Sequence, residues 1–550
     1  MKKLYIPLAI LLALVMILTS CGKSTTTTTP AQTTPAQTTP AKTTPAQTTA
    51  PAQTTTPVQT TTPAQTIIKG GTMRYIYPYS PISTPGWPAD DMNAQRMWME
   101  WTVYEPLVKP DKNYQPTPWL ATSWDWGPQY QYITFHLRQN VKFHDGTTFT
   151  SEAVKMAGDI AIKANEAFAQ TWQNWEIIDD NTVRLYLKWY QNDFFGNLMG
   201  INMCFFSPTA YKSHGGDNGG VDWMKEHPVG TGPFTFSYFE KDVTMKMLAF
   251  NDYWQTGKPY LAELDFITVK ETLTAQATMQ AGQGDAWALQ QGKTLYDMKN
   301  AGFNIVEDYG GSDFLMFDTA NADSITNDVR IRQAIEYAID KDAMIKALGY
   351  GYWIKTNQWS PPTNPSFNKD LTSRDYDPAK AKQLLTDAGY PNGLTVHIVT
   401  IAGSGGLILA VQQYLEAVNI HVDLESVDNA KFWSYCMTGW KGIMSVGYAV
   451  GFNFPSALIG YYGPHSVIDK SVKIPDNIIA DANAALLVMD PVQAKAASNK
   501  VIKELDDICW EVFIDSNAMG FVLSTKLMDS GIENFSDWSE WSPESAWLSK

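Results

Sequence analysis

Residues 394–427 read LTVHIVTIAGSGGLILAVQQYLEAVNIHVDLESV. Leu394, Val396 and Ile398 alternate with Thr395 and His397, the period of a strand with one buried face. Leu407, Ala410, Val411, Tyr414, Leu415 and Val418 then recur at three- and four-residue steps, which is one apolar face of a helix. Ile420, Val422 and Leu424 resume the period of two. Strand, helix and strand joined by short connectors make a βαβ crossover, so the two strands are predicted to be parallel. The fold class is α/β.

The same signals extend on both sides. Asp377-Pro378 supplies an N-cap and a proline at the first helical position, and Gly389 with Pro391 ends that helix. Ile331, Ile335, Ala338 and Ile339 form an apolar stripe after Asn327-Asp328. Further upstream, Ile133, Phe135 and Leu137 alternate, as do Val183, Leu185 and Leu187, so both runs are predicted as half-buried strands.

Composition removes several function classes. The 550 residues carry 41 basic and 56 acidic side chains, a formal charge of −15. Without Lys/Arg blocks, an acidic chain lacks the clustered cations that nucleic acid requires. Only 18% of residues are charged, against 20 Trp, 26 Tyr and 23 Phe, a stock of flat amphipathic side chains for a large core and wide aromatic surfaces. The cysteines at 21, 204, 436 and 509 show no CxxC spacing, and the seven histidines show no HExxH or HxH grouping. Neither a metal site nor a cofactor is expected. If Cys21 is modified, the other three allow at most one disulfide.

Lys2-Lys3 followed by Leu4 to Leu18 reads as a secretory leader, too short to span a bilayer permanently. It ends in Leu18-Thr19-Ser20-Cys21, which resembles a bacterial lipobox; residues 1–20 are expected to be a signal peptide and Cys21 the lipidated N-terminus. Residues 24–66 hold little besides Thr, Pro, Ala and Gln, with Pro30, Pro35, Pro40 and Pro45 at a period of five. With no apolar face to bury, residues 21–66 are expected to form a disordered, extended tether. Fully extended polyproline II would reach on the order of 130 Å. The expected location is extracytoplasmic, anchored to the cell membrane.

Five motifs from residue 104 onward carry a resemblance. Tyr104-Glu105-Pro106-Leu107-Val108, Leu120-Ala121-Thr122-Ser123-Trp124 and the run Thr134 to Gly146 ending in Val141-Lys142-Phe143-His144-Asp145-Gly146 come first. Pro228-Val229-Gly230-Thr231-Gly232-Pro233-Phe234 follows, then Asp328-Val329-Arg330-Ile331-Arg332 with Ala338-Ile339-Asp340-Lys341. In this order and spacing the chain resembles the bacterial extracellular solute-binding proteins of family 5, which bind oligopeptides, dipeptides or nickel for ABC importers. The match covers most of 67–550. The motifs read as structural: His144-Asp145-Gly146 closes a strand in a turn where Gly accepts positive φ. Gly230-Thr231-Gly232-Pro233 lacks the Lys-Ser/Thr of a phosphate loop and is expected to let the chain cross between lobes.

The resemblance implies a two-lobed, periplasmic-binding-protein-like clamshell (type II, cluster C-like) with an extra domain. Domain I would take 67–110, 229–312 and 515–550, domain II 111–228, and domain III 313–514. A solute enclosed between domains I and III by hinge closure would be delivered to ABC permease subunits, with no catalysis.

Residues 439–458 depart from the family pattern. Where peptide-binding members carry an Asp for the peptide ammonium, this chain has Gly451; where some place an Arg for the terminal carboxylate, it has Ser445. Burying an unpaired ammonium costs several kcal/mol, so the expected ligand is largely neutral and peptide-sized, unless another acid such as Asp313 replaces the anchor. Family position implies Tyr77, Tyr79, Trp287, Trp359, Trp433, Tyr448, Gly451, Phe452 and Asn453 as lining residues. Core packing is the competing role for each aromatic. The alternatives are a receptor presenting ligand to a membrane sensor, or a secreted hydrolase, although no GxSxG elbow is present.

Overall fold

The computed structural model describes residues 66–78, 86–87, 94–200, 203–403, 405–449, 451, 453–532 and 541–550. The leader, Cys21 and the Thr/Pro-rich stretch lie outside the described residues up to Gln65, as do Tyr79 and Phe452.

The βαβ unit forms as its periodicity dictates. Strands Leu394–Ile401 and Ile420–Val427 are parallel, paired from Leu394↔Ile420 to Ile401↔Val427, with helix Gly405–Glu416 between them. Leu394, Val396 and Ile398 share a core with Val411, Leu415 and Val418. Helix Pro378–Asp387 starts at Asp377, whose carboxylate accepts from the Lys380 N–H at 2.9 Å. The stripe after Asp328 is shorter than its apolar pattern. Helix Val329–Ala338 ends before Ile339, which is extended, and Asp340 caps a new helix, Lys341–Leu348. Ile339 is nevertheless buried, so the apolar pattern persists through a helix break. Each fully buried aliphatic on this face contributes about 1.5–3 kcal/mol.

Three sheets organise the described chain. A six-stranded sheet runs Trp353–Lys355, Glu511–Asn517, Gly311–Phe317, Ile443–Ala449, Leu394–Ile401, Ile420–Val427. A seven-stranded sheet runs Asn304–Val306, Gly520–Leu523, Ala286–Gln290, Thr72–Tyr77, Glu263–Thr268, Thr244–Ala249, Phe234–Glu240. A four-stranded antiparallel sheet contains Ala121–Trp126, Tyr132–Leu137, Thr182–Leu187 and Trp172–Asp179. Ile133, Phe135, Leu137, Val183, Leu185 and Leu187 are buried in its core.

The chain passes between the two large sheets at residues 307–310 and 518–519, leading into Gly311–Phe317 and out of Glu511–Asn517. The passages are tied together: the Met519 N–H donates to the Asp308 carbonyl at 2.9 Å, and the Ala518 N–H to Tyr352 at 2.8 Å. Two adjacent, cross-bonded segments thus connect the two large sheets.

Candidate functional site

The family-type motifs build junctions. Glu105 is fully buried, and its carboxylate accepts from five donor contacts: Trp119 Nε1 at 2.7 Å, Thr231 Oγ1 at 2.8 Å, Tyr253 OH at 2.8 Å, and Trp254 Nε1 at 3.2 and 3.1 Å. Burial raises the pKa of this carboxyl, opposed by Lys109 and by the hydrogen bonds. The Pro228–Phe234 motif packs beneath helix Ala94–Val103, where a Cβ on Gly230 would collide with the Val103 carbonyl. It carries the chain from the region of the four-stranded sheet into strand Phe234–Glu240, not across the connection between the two large sheets. The expectation that it crosses between lobes is corrected on this point. Gly146 has φ +82, as the turn requires. His144 bridges both motifs: Nε2 lies 2.9 Å from the Gly232 carbonyl, and the Gly230 N–H faces Nδ1 at 3.4 Å. That arrangement fits a neutral ring, and burial pushes its pKa down to about 4.

Arg332 and Lys341 are likewise structural. The Arg332 guanidinium donates to the carbonyls of Asn327, Ile508 and Cys509 at 3.1, 2.6 and 2.8 Å. Lys341 pairs with buried Glu336 at 3.2 Å. Cys204, Cys436 and Cys509 are buried and form no disulfide with one another.

The altered segment ends beside the connection. Strand Ile443–Ala449 pairs with Gly311–Phe317, with Ala449 opposite Gly311, so Gly451 lies just past the sheet edge nearest the passage at 307–310. Gly451 is exposed, and a Cβ built on it meets nothing within 4 Å. Three residues earlier, Tyr448 stacks on Tyr461 at 4.9 Å, and Trp359 meets Tyr461 edge-on at 5.1 Å. The Tyr448 hydroxyl donates to Asp469 at 2.9 Å. Burial pushes the Asp469 carboxyl up to about 7.

The structure brings only some of the expected residues together. Trp359 and Tyr448 share one cluster, 6.3 Å apart, both almost fully buried. Trp287 lies at the foot of the connection, packed with Tyr352 and Ala518, its indole Nε1 buried with no acceptor among the described residues. Tyr77 belongs to the core of the seven-stranded sheet, and Trp433 is 40% exposed on helix Asn429–Thr438. Asn453 caps helix Phe454–Tyr462: its Oδ1 accepts from the Ser456 N–H at 3.1 Å, and its Nδ2 donates to Asn192 at 2.8 Å. Its amide is therefore engaged within the protein.

Asp313 pairs in register with Gly447 on one side and Asp515 on the other, and Asn517 Nδ2 donates to it at 2.6 Å. Burial pushes Asp313 up to about 6, and burial with the neighbouring Asp313 raises Asp515 as well. This acid pair was missed from sequence, because only the strand register brings residues 313 and 515 together. Ser445 lies mid-strand opposite Leu315. Among the described residues, no group of three His, Cys, Asp or Glu side chains is arranged to hold a metal.

Residues 115–466 match the family described as bacterial extracellular solute-binding proteins, family 5. The chain belongs to that family. It is 31% identical over 316 residues to heme-binding protein A of Haemophilus influenzae, covering 53% of this chain and 57% of that protein. It is 30% identical to the glutathione-binding protein GsiB of Pectobacterium atrosepticum, covering 62% and 66%. The match to the dipeptide-binding protein of Escherichia coli is 27% identical, covering 51% and 56%. The chain thus spans 57%, 66% and 56% of the lengths of these relatives. Among solved structures, NikA from Brucella suis, in complex with Fe(III)-EDTA, superposes with a TM-score of 0.78 at 21% identity, covering 87% of this chain and all of that one. DppA from Helicobacter pylori, in complex with the peptide STSA, gives 0.75 at 21%, covering 88% and 99%. The family 5 chain has the two-lobed, type II periplasmic-binding fold.

Proposed function

We propose that this chain is the extracytoplasmic substrate-binding component of an ABC importer, anchored by lipid at Cys21. It captures a peptide-sized, largely neutral solute between two lobes and delivers it unaltered to a membrane permease. Domain I (67–110, 229–312, 515–550) and domain II (111–228) make one lobe in this reading, and domain III (313–514) the other. The relatives are named for binding heme, glutathione and dipeptides, which supports a binding role over a catalytic one.

Gly451 carries the neutral-ligand reading. It occupies the position of the family's ammonium-binding Asp, it is exposed, and the space around its Cβ is open. A free ammonium enclosed there would lose hydration without gaining a carboxylate. The candidate lining residues belong to this proposal; Asn453 also bonds Asn192 and Ser456 within the protein.

Calorimetric titration with paired free-amine and N-acetylated peptide libraries tests it. The parent chain is expected to bind neutral or capped members and not free amines. Gly451→Asp is expected to gain about tenfold or more for free amines, since one well-placed ion pair in a closed pocket exceeds 1.4 kcal/mol. Micromolar binding of free-amine peptides by the parent, abolished by acetylation, would end the neutral-ligand reading.

A further inference from the structure

The segment that follows the four-stranded sheet meets two helices of the region built on the six-stranded sheet through a polar contact. Asn192, just before helix Phe194–Met199, presents three donor contacts to the end of helix Asp476–Leu486. Its N–H donates to the Leu486 carbonyl at 2.8 Å, and its Nδ2 to Ala485 at 2.7 Å and Val488 at 3.1 Å. Carbonyls at a helix C-terminus lack intrahelical partners, so an asparagine amide suits them chemically. With both Nδ2 protons directed at carbonyls, the Asn192 Oδ1 must accept, and it does so from Asn453 Nδ2 at 2.8 Å. Asn453 in turn accepts from the Ser456 N–H, so both amide orientations are fixed by one consistent network. The Ser456 hydroxyl completes the contact by donating to Asp193 Oδ2 at 2.5 Å.

These bonds span 261 to 296 residues of sequence. Between Asp193 and Asn453 the described chain runs through the seven-stranded sheet and then the passage at 307–310. Bending that connection therefore makes or breaks this contact. The contact is also built for reversal. It is polar, and a cavity of about 320 Å³ lies beside it, lined in part by Tyr190, Asn192, Asn453 and Lys495. Permanent interfaces are larger and more apolar. One end of the contact is Asn453, two residues beyond Gly451 at the proposed ligand position.

We propose that Asn192 and Asp193, with Asn453 and Ser456, form a closure latch: positioning residues that hold the two bodies together. The link to ligand capture rests on the function proposed above; the latch itself does not, and its test uses no ligand. Exposed Asn174 and Gln413, replaced by cysteine in the full chain carrying Cys21→Ser and spin-labelled, report the distance between the bodies by electron–electron double resonance, while Cys204, Cys436 and Cys509 are buried. Asn192→Ala is expected to move at least about tenfold of the closed-to-open ratio toward longer distances, having removed two or more hydrogen bonds. Ser456→Ala is expected to shift it less, and Ser456→Thr, which keeps the hydroxyl, to restore the parent distribution. Unchanged distances in both alanine variants would overturn the latch, as would a shift in Ser456→Thr equal to that in Ser456→Ala. Should Asn192→Ala fail to fold, the Ser456 pair decides alone. A distance shift alongside failed peptide titrations would keep the latch and remove only the ligand reading.

Discussion

At the scale of single residues, the chemistry that looks functional in the sequence is mostly structural. Glu105 gathers donors from Trp119, Thr231, Tyr253 and Trp254, residues on three segments that only the fold brings together. Removing the carboxylate leaves buried Thr231 and Tyr253 and partly buried Trp119 and Trp254 without this acceptor and opens a cavity. Glu105→Ala is expected to destabilise the chain by about 3–5 kcal/mol in urea denaturation, and Glu105→Gln by less, because the amide oxygen still accepts. The motif around Glu105 was legible in the sequence; its role as a hub was not, since none of its donors is closer than Trp119, fourteen residues on. Asn453 teaches the converse. A neutral amide beside a ligand loop suggested solute binding, but a polar side chain near a lobe boundary can equally serve the protein's own contact, and sequence does not separate the two.

At the scale of elements, periodicity was sufficient wherever both faces of an element were set locally. The βαβ unit at 394–427 and the capped helix Pro378–Asp387 follow their sequence signals closely. The break at Ile339 was hidden, because an apolar residue buries equally well inside a helix or just after one. The paired acids on the connecting strands were hidden for another reason: register is a tertiary property. Their pH dependence follows from geometry. Asp313 is raised to about 6 in the folded chain, so the folded form holds its proton more tightly than the unfolded form. Its stabilising contribution is full below the unfolded carboxyl pKa near 4 and is lost as pH rises through about 6. Asp313→Asn, which keeps an acceptor for Asn517, is expected to be close to neutral at pH 4. At pH 7 it is expected to stabilise the chain by up to about 2 kcal/mol, measured as paired urea titrations at the two pH values. Equal effects at both pH values would contradict the buried-acid account.

At the scale of the whole molecule, two chain passages join the two large sheets and a polar contact joins the regions beside them, the arrangement that the proposed hinge closure uses. The family and the clamshell were legible because motif order is preserved across residues 104–341. The identity of the solute was not, since it depends on positions whose departures from the family pattern, at Ser445 within a strand and at Gly451 beyond its end, remove charges and supply no positive signature. The central claim is that a small, largely neutral solute is enclosed between the lobes and released chemically unchanged. Native mass spectrometry of the purified chain, followed by denaturation and accurate-mass analysis of what is released, tests it most directly. The account predicts a stoichiometric, noncovalent small molecule without a free ammonium, recovered at the same mass after prolonged incubation with the protein. A bound free-amine peptide, or a mass that changes on incubation, would contradict it.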